Sequence, residues 1–427
     1  QVKAREAALQ TASDPQAKAA MRIVGRAERA LAPEAILDRS ETEKRPAAEV
    51  VRETVDGLND RAWRGGLPEV SASQRDRLVN SASKLDSKDP DSLRNYKQQL
   101  RQTQMELIGR YSTLVGETAA GAGRQASPTL MAATRRFGRQ LNEATRALQE
   151  LGGNLDPGVG EVAAEGLRAL SQAHEGGKPA TIRSNRTVLR ETYQLLSQWV
   201  HSTAKQELSG ASGADLEIRI YNTIAHLVQA GRALKLGDAQ RWLGLAIQVE
   251  GAGRGAGVNL KHPAQQDRFL EAASRLVQAL KEAGVNPKQF KGLVEQFAST
   301  LEGIAGDVRT QVTQAIQSGN PEALEAASRR LEILVNAYEA FRAVLTDGAR
   351  AQALDQAVLE TARKAPSGGY RMVNRLIPLI AIADLCGQRP GVIFEAVSDK
   401  IGALEESLAS LDPVEGLRVA ILYTKMT

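Results

Sequence analysis

Apolar residues recur along most of the chain at steps of three and four, the spacing that places them on one face of an α-helix. The clearest run is the seam Leu324, Ala327, Leu331, Leu334, Tyr338, Phe341 and Leu345, which Asp347-Gly348 ends. Only 391–397 and 418–425 resemble strands, and neither has a neighbouring strand with which to pair. The pattern therefore predicts an all-α fold.

Proline placement predicts where helices begin. Seven prolines follow a residue that can cap a helix: Asp14-Pro15, Asp89-Pro90, Ser127-Pro128, Asp156-Pro157, Asn286-Pro287, Asn320-Pro321 and Asp412-Pro413. A capping oxygen followed by proline at the first helical position is typical of a helix start. We therefore expect helices at these points, with a plain turn as the alternative for an Asp-Pro pair.

Glycine and proline clusters, such as 116–128 and 251–263, divide the chain. We expect an elongated array of several helical bundles or hairpins joined by these linkers. The predicted segments are a charged helical arm 1–63, a bundle 69–178, a hairpin or bundle 180–250, and a C-terminal bundle 263–427 with an apolar hairpin at 366–397.

One spacing occurs twice. Phe137, Leu148 and Gly152 are spaced like Phe269, Leu280 and Gly284, and both runs continue into Asn and Pro. Repeated helical-hairpin architecture and chance similarity are the two interpretations.

The stretch GAGRGAG at 251–257 invites a nucleotide-binding interpretation, because G-x-G-x-x-A after an apolar run is similar to a dinucleotide fingerprint. Pro263 delays the next helix, however, and no second strand follows. We interpret the stretch as the end of a helix at Gly251 followed by a linker. An anion-binding nest with Arg254 and Lys261 is the alternative.

Composition limits the kinds of functional site that the chain is expected to contain. Aromatic residues are 4% of the 427 residues and the net charge is +5, which is no signature of a nucleic-acid-binding protein. Cys386 is the sole cysteine, and the four histidines share no ligand spacing. The longest apolar run, 376–386, is too short to span a membrane. We predict no catalytic residues, no cofactor, no metal and no transmembrane segment, while peripheral membrane contact stays open.

The most basic segment runs from Arg124 to Arg146. Arg124, Arg135, Arg136 and Arg139 are its candidate anion-binding residues, because clustered arginines attract phosphate or anionic lipid. A solvated helix face and a docking site for an acidic partner are the alternatives.

The predicted function is non-catalytic: a helical protein–protein interaction or scaffold protein. Its candidate partner-binding residues are Leu324, Leu331, Leu334, Tyr338, Phe341 and Leu345; packing inside the chain is the alternative use of this seam. Composition suggests a bacterial exported effector or secretion-associated factor, folded in the cytoplasm and exported without a classical signal peptide.

Two other functions compete with this one. The first is a regulator such as a GTPase-activating or nucleotide-binding effector, because Arg168 in EGLRALSQ resembles the arginine-finger segment of bacterial effector GTPase activators. The glycine spacing of that family is not matched, which favours an ordinary surface arginine. The second is nucleic-acid or anionic-lipid binding through the Arg124–Arg146 segment.

Overall fold

The computed structural model describes residues 25–64, 67–124, 130–153, 155–175, 179–207, 214–255, 260, 262–318, 321–345, 351–353, 356, 357 and 360. Within these ranges the chain is helical and contains no strand. The predicted all-α fold is confirmed. The strands considered at 391–397 and 418–425, Cys386 and the apolar hairpin 366–397 lie outside the described residues.

Twelve helices are delimited. They are α1 (Pro33–Glu43), α2 (Ala47–Arg64), α3 (Ala72–Ala82), α4 (Pro90–Arg124), α5 (Leu130–Glu150), α6 (Pro157–Glu175), α7 (Pro179–Glu207), α8 (Ala214–Leu234), α9 (Ala239–Gly255), α10 (Pro263–Glu282), α11 (Pro287–Ser318) and α12 (Pro321–Arg342).

Four helices begin at prolines that the sequence singled out: α4, α6, α11 and α12. In three of them the capping side chain accepts a hydrogen bond from the second helical residue, at 2.8 to 3.0 Å, as Asp89, Asp156 and Asn286 do. These bonds satisfy amide groups that a helix start leaves without a partner. The remaining prolines of that set, Pro15, Pro128 and Pro413, lie outside the described residues.

The chain divides into two compact units. Unit 1 comprises Gln1–Thr203 with Ala230–Leu236, and unit 2 comprises Ala204–Gln229 with Gly237–Thr427. The four-segment division expected from the linkers stays a prediction.

In unit 1, α4 and α6 approach each other at backbone distance. A Cβ atom at Gly116 would lie 2.8 Å from the carbonyl oxygen of Val162, and one at Gly123 would lie 2.5 Å from the carbonyl carbon of Ala169. The cluster 116–128 was expected to form a linker, and this was wrong for its glycines up to Gly123, which belong to α4. Glycine is required there because no side chain fits between the two helices.

In unit 2, four aromatic rings from four helices form one cluster. Phe297 of α11 lies 5.3 Å from Tyr221 of α8, 5.7 Å from Phe269 of α10 and 5.8 Å from Phe341 of α12, measured between ring centroids. The first two pairs meet edge to face, the arrangement that the ring quadrupoles favour. Four helices of unit 2 thus meet at this cluster through one aromatic ring each.

A buried polar network joins α10, α11 and α12. Arg330, which is 6% exposed, donates to Asp267 Oδ1 at 2.8 Å and also to the side-chain oxygens of Gln266 and Gln311. Gln266 in turn donates to Asp307 Oδ2 at 2.6 Å. Because the buried guanidinium has several acceptors, its charge is compensated inside the unit.

The repeated spacing corresponds to a repeated local structure. After α5 and after α10, a glycine with positive φ follows the helix, Gly152 at 68° and Gly284 at 79°. The next amide bonds back to Leu148 in the first case and to Leu280 in the second, at 2.9 and 3.0 Å. Both helices therefore end in the same Schellman turn, which glycine favours because it adopts positive φ without strain.

The glycine stretch differs from its expected structure. The run preceding it is helical, which excludes the strand of a dinucleotide fingerprint, and α9 continues past Gly251 to Gly255. Gly251 is not among the positive-φ glycines, so the predicted helix end there was wrong by four residues. A glycine inside a helix costs only about 1 kcal/mol, and the continuing helical hydrogen bonds offset this. The side chains of Arg254 and Lys261 lie outside the described residues.

Candidate docking groove in unit 1

The seam proposed for partner binding lies in the core of unit 2. Leu331, Leu334, Tyr338 and Phe341 of α12, together with Leu345 just beyond it, are between 0 and 3% exposed. The backbone of Leu324 is helical, and its side chain lies outside the described residues. These five described side chains therefore pack within the chain and do not form a surface in this structure.

The candidate anion-binding arginines occupy a different surface. Arg135, Arg136 and Arg139 are exposed on α5, and Arg135 donates through Nε to Asn185 Oδ1 on α7 at 3.3 Å. The side chain of Arg124, at the end of α4, lies outside the described residues. The structure thus places three of the four at exposed positions of one helix, and their anion binding stays a prediction.

Arg168 contacts two side chains of its own helix. Its guanidinium donates to Gln172 Oε1 at 2.9 Å and lies 3.9 Å from Glu165 Oε1, both on α6. A side chain held along its own helix axis is an ordinary helix-surface arrangement.

The structure reveals a groove along the first half of α4 that the sequence analysis did not identify. It encloses about 800 Å³ and is bounded at one end by the turn after α5. We call it the cationic groove; it is lined by Pro90, Leu93, Arg94, Lys97, Gln98, Arg101, Gln102, Met105, Leu151 and Gly152. Three of these residues are cations and none is a carboxylate.

The three cations form a rail along α4. Arg94, Lys97 and Arg101 follow one another at steps of three and four, so they lie on one face of the helix. Arg94 contacts Asp91 at 3.0 Å and Lys97 contacts Glu34 of α1 at 3.4 Å. All four of these side chains are more than half exposed. Ion pairs this exposed contribute little stability. A ligand carboxylate can therefore replace Asp91 beside Arg94, or Glu34 beside Lys97, at small cost.

Lys97 acts electrostatically on the carboxylate of Glu34. The pKa of Glu34 lies below the ordinary value, chiefly because the carboxylate accepts a hydrogen bond from its own backbone amide and further because of Lys97. The charge of Lys97 therefore favours the ionised form of a carboxyl group placed beside it.

Arg101 closes the end of the groove. Its Nη2 lies 3.1 Å from the point where a Cβ on Gly152 would stand, and Met105 Sδ lies 2.6 Å from the corresponding point on Gly153. The two glycines of the Schellman turn thus make room for both side chains. Arg101 has no carboxylate within ion-pair distance in the described part of the chain.

Beside the rail, the groove offers an apolar strip. Leu93 and Met105 of α4 and Leu151 of the turn form it, and Pro90 lies at the helix start. A cationic edge next to an apolar strip is complementary to an amphipathic segment with an acidic face. The lining contains no His, Cys, Asp or Glu, so these residues supply no carboxylate, imidazole or thiol as a general base or nucleophile.

The rail spacing was visible in the sequence, since Arg94, Lys97 and Arg101 stand within one predicted helix. The second wall of the groove could not be predicted from the sequence. Leu151 and Gly152 are about fifty residues away and reach α4 only through the fold of unit 1.

No group of three or more His, Cys, Asp and Glu side chains with the geometry of a metal site occurs among the described residues. None of the helices in the described ranges is long and apolar enough to cross a lipid bilayer.

Comparison with known proteins yields little. No family model matches the chain, and no curated protein does. Among solved structures the chain is similar to a "Circular tandem repeat protein with novel repeat topology and enhanced subunit contact surfaces", with 17% identity over 96% of this chain and 99% of that one, at a TM-score of 0.24. A likeness this low carries nothing about partners or activity.

Proposed function

We propose that this protein is a non-catalytic binding protein whose unit 1 holds an acidic, amphipathic helical segment of a partner protein in the cationic groove. The observation that carries the proposal is the rail of Arg94, Lys97 and Arg101 beside an apolar strip, in a concave site without a carboxylate. Helix-in-groove recognition needs this combination, because the apolar strip provides affinity and the charges set orientation and partner choice.

The spacing of the rail suggests the form of the ligand. Cations at steps of three and four on α4 match carboxylates that follow the same steps on a docked helix. The apolar residues of the ligand would then lie on Leu93, Met105 and Leu151. An unstructured acidic chain would meet the charges but would leave the apolar strip uncovered.

The competing functions have less support. A GTPase-activating role would require Arg168 to reach outward, and its contacts with Gln172 and Glu165 lie along its own helix. Nucleic-acid or anionic-lipid binding through the Arg124–Arg146 segment stays an untested alternative, with Arg135, Arg136 and Arg139 exposed on α5. The cationic groove itself contains no aromatic ring on which single-stranded bases would stack. The hypothesis of a bacterial exported effector or secretion-associated factor continues to rest on composition alone.

The test is direct binding of a designed peptide to the full chain. The peptide is an amphipathic helix with leucines on one face and glutamates on the other, labelled for fluorescence anisotropy. We expect saturable binding that weakens about tenfold or more in the double variant Lys97→Glu, Arg101→Glu, because two attractive contacts become repulsive.

The matched control is the double variant Arg135→Glu, Arg139→Glu, which changes the net charge equally on exposed positions of α5. It should bind the peptide as the parent does. Equal weakening in both double variants would mean that overall charge attracts the peptide, and the proposal would then be wrong. A peptide with the same composition but scrambled order should bind less tightly in every case.

A further inference from the structure

Four of the nine residues that line a second cavity of unit 1 are arginines. The cavity encloses about 720 Å³ between the helical residues 25–30, α1 and α2. We call it the arginine pocket; its lining is Arg26, Arg29, Ala30, Arg39, Glu53, Thr54, Gly57, Leu58 and Arg61. Four guanidinium groups from three separate segments thus surround one concave space.

The single carboxylate of this lining is already paired. Glu53 contacts Arg45 at 2.6 Å, and Arg45 does not belong to the pocket lining. The Arg45 hydrogen bond holds the pKa of Glu53 below its ordinary value. Because Arg45 compensates the charge of Glu53, the four arginines keep an excess of positive charge inside the pocket.

One of the arginines is held in position by its neighbours. Arg39 donates through Nη1 to Thr54 Oγ1 at 3.0 Å and through Nε to Glu43 Oε1 at 3.0 Å. Thr54 donates its own hydroxyl hydrogen to the carbonyl of Val50 at 2.7 Å, so it receives the guanidinium as an acceptor. This chain of bonds fixes the direction of Arg39 before any ligand arrives.

Two other arginines remain available to a ligand. Arg26 and Arg61 have no carboxylate within 4.0 Å among the residues that the structure describes, and both are exposed. Gly57 stands between the walls, and a Cβ placed on it would meet nothing within 4 Å. The pocket therefore has open space next to unpaired positive charge.

The side chains of the pocket lining indicate which class of ligand fits it. A guanidinium presents paired N–H donors that match the oxygens of a phosphate group, and all four cations here are arginine. No aromatic ring lines the pocket, so there is no surface on which a base would stack. Its volume lies in the range of small-ligand sites, and its concave shape suits a compact molecule better than a planar membrane surface.

We propose that the arginine pocket binds a small soluble ligand that carries two or more phosphate groups and is recognised through those phosphates. This site is separate from the cationic groove and does not depend on the function proposed for it. Arg39 orients one phosphate, and Arg26 and Arg61 supply the unpaired charge for a second.

The test is isothermal titration of the full chain with inorganic tripolyphosphate at moderate salt. We expect saturable binding at one site, weakened about tenfold or more in the double variant Arg26→Gln, Arg61→Gln. The control variant Arg77→Gln, Lys84→Gln removes the same charge from exposed positions outside the pocket lining and should bind as the parent does. Thermal unfolding of each variant verifies that it is folded.

Two further arms identify the source of the phosphate. Vesicles containing a phosphoinositide bisphosphate and a doubly phosphorylated peptide are titrated in the same way. Binding of tripolyphosphate that fails with vesicles supports the proposal. Binding of vesicles or of the phosphopeptide without binding of tripolyphosphate would overturn it, as would tripolyphosphate affinity that is unchanged in Arg26→Gln, Arg61→Gln.

Discussion

A buried carboxyl group in unit 2 makes stability depend on pH in an unusual direction. Glu217, in the first turn of α8, is 8% exposed and accepts a hydrogen bond from the Tyr221 hydroxyl at 2.8 Å. Burial raises the pKa of Glu217 from 4.5 to about 7, the nearby charge of Glu250 adds to this, and the Tyr221 hydrogen bond opposes it. The carboxyl is therefore protonated in the folded protein at pH values where the unfolded chain is ionised.

The sign of the effect follows from proton binding. Between pH 4.5 and about 7 the folded state holds a proton on Glu217 that the unfolded state has lost, so the free energy of unfolding falls as pH rises through this window. Below the window both states are protonated and the effect vanishes. Above the window the free energy of unfolding is lowered by the full amount. The difference between the folded and unfolded pKa values of Glu217 makes this amount roughly 3 kcal/mol.

The substitution Glu217→Gln removes the ionisable group and keeps an oxygen that can accept the Tyr221 hydrogen bond. We expect the variant to be more stable than the parent by roughly 3 kcal/mol at about pH 8 and of equal stability at about pH 4.5. Urea unfolding at a series of pH values measures the difference, and hydrogen exchange in peptides from α9 to α11 reports on unit 2 separately.

The control is Glu271→Gln, which removes an exposed carboxyl group from α10 and should leave the pH dependence of the parent unchanged. The reasoning fails if the free energy of unfolding of Glu217→Gln changes with pH as steeply as that of the parent. It also fails if the variant is the less stable of the two at about pH 8, because burial would then not raise the pKa of this carboxyl.

Three further predictions concern packing and can be tested by urea unfolding. Gly116→Ala should lower the free energy of unfolding by about 1–3 kcal/mol, because its Cβ would meet the backbone of α6. Gly121→Ala lies in the same helix but has nothing within 4 Å of its Cβ, so it should raise that free energy by up to about 1 kcal/mol. Equal effects of the two substitutions would refute the close packing of α4 and α6. Arg330→Leu should cost about 3–5 kcal/mol because it leaves Asp267 without its partner, and adding Asp267→Leu should recover part of that loss. Phe297→Ala should cost about 3–5 kcal/mol, since it removes the ring that contacts three others, and a loss below about 1 kcal/mol would contradict the cluster.

Some of this structure follows from local sequence. The helix starts at Pro90, Pro157 and Pro287 depend on a side chain and an amide two residues apart, so neighbouring residues suffice to predict them. The turns at Gly152 and Gly284 depend on one backbone conformation that glycine favours, which is why the same spacing gave the same turn twice.

Other features depend on which helices meet. The seam of α12 has the spacing of a buried face, but only the fold decides whether that face covers its own chain or a partner. Arg26 and Arg61 share a pocket although 35 positions separate them. Gly116 and Gly123 look like linker residues in the sequence, since composition does not distinguish a glycine that loosens the chain from one that lets two helices touch.

The contact between α4 and α6 also affects the rate and the affinity with which the cationic groove would bind a ligand. The half of α4 that carries Gly116 and Gly123 is fixed against a second backbone, and the half that carries Arg94 and Arg101 continues from it as one helix. The helix backbone that carries the rail is preorganised in this way, so a ligand loses no affinity to ordering that backbone. Variation in affinity among ligands would then arise mainly from their own folding on binding, and would be measured as differences in dissociation rate and heat capacity.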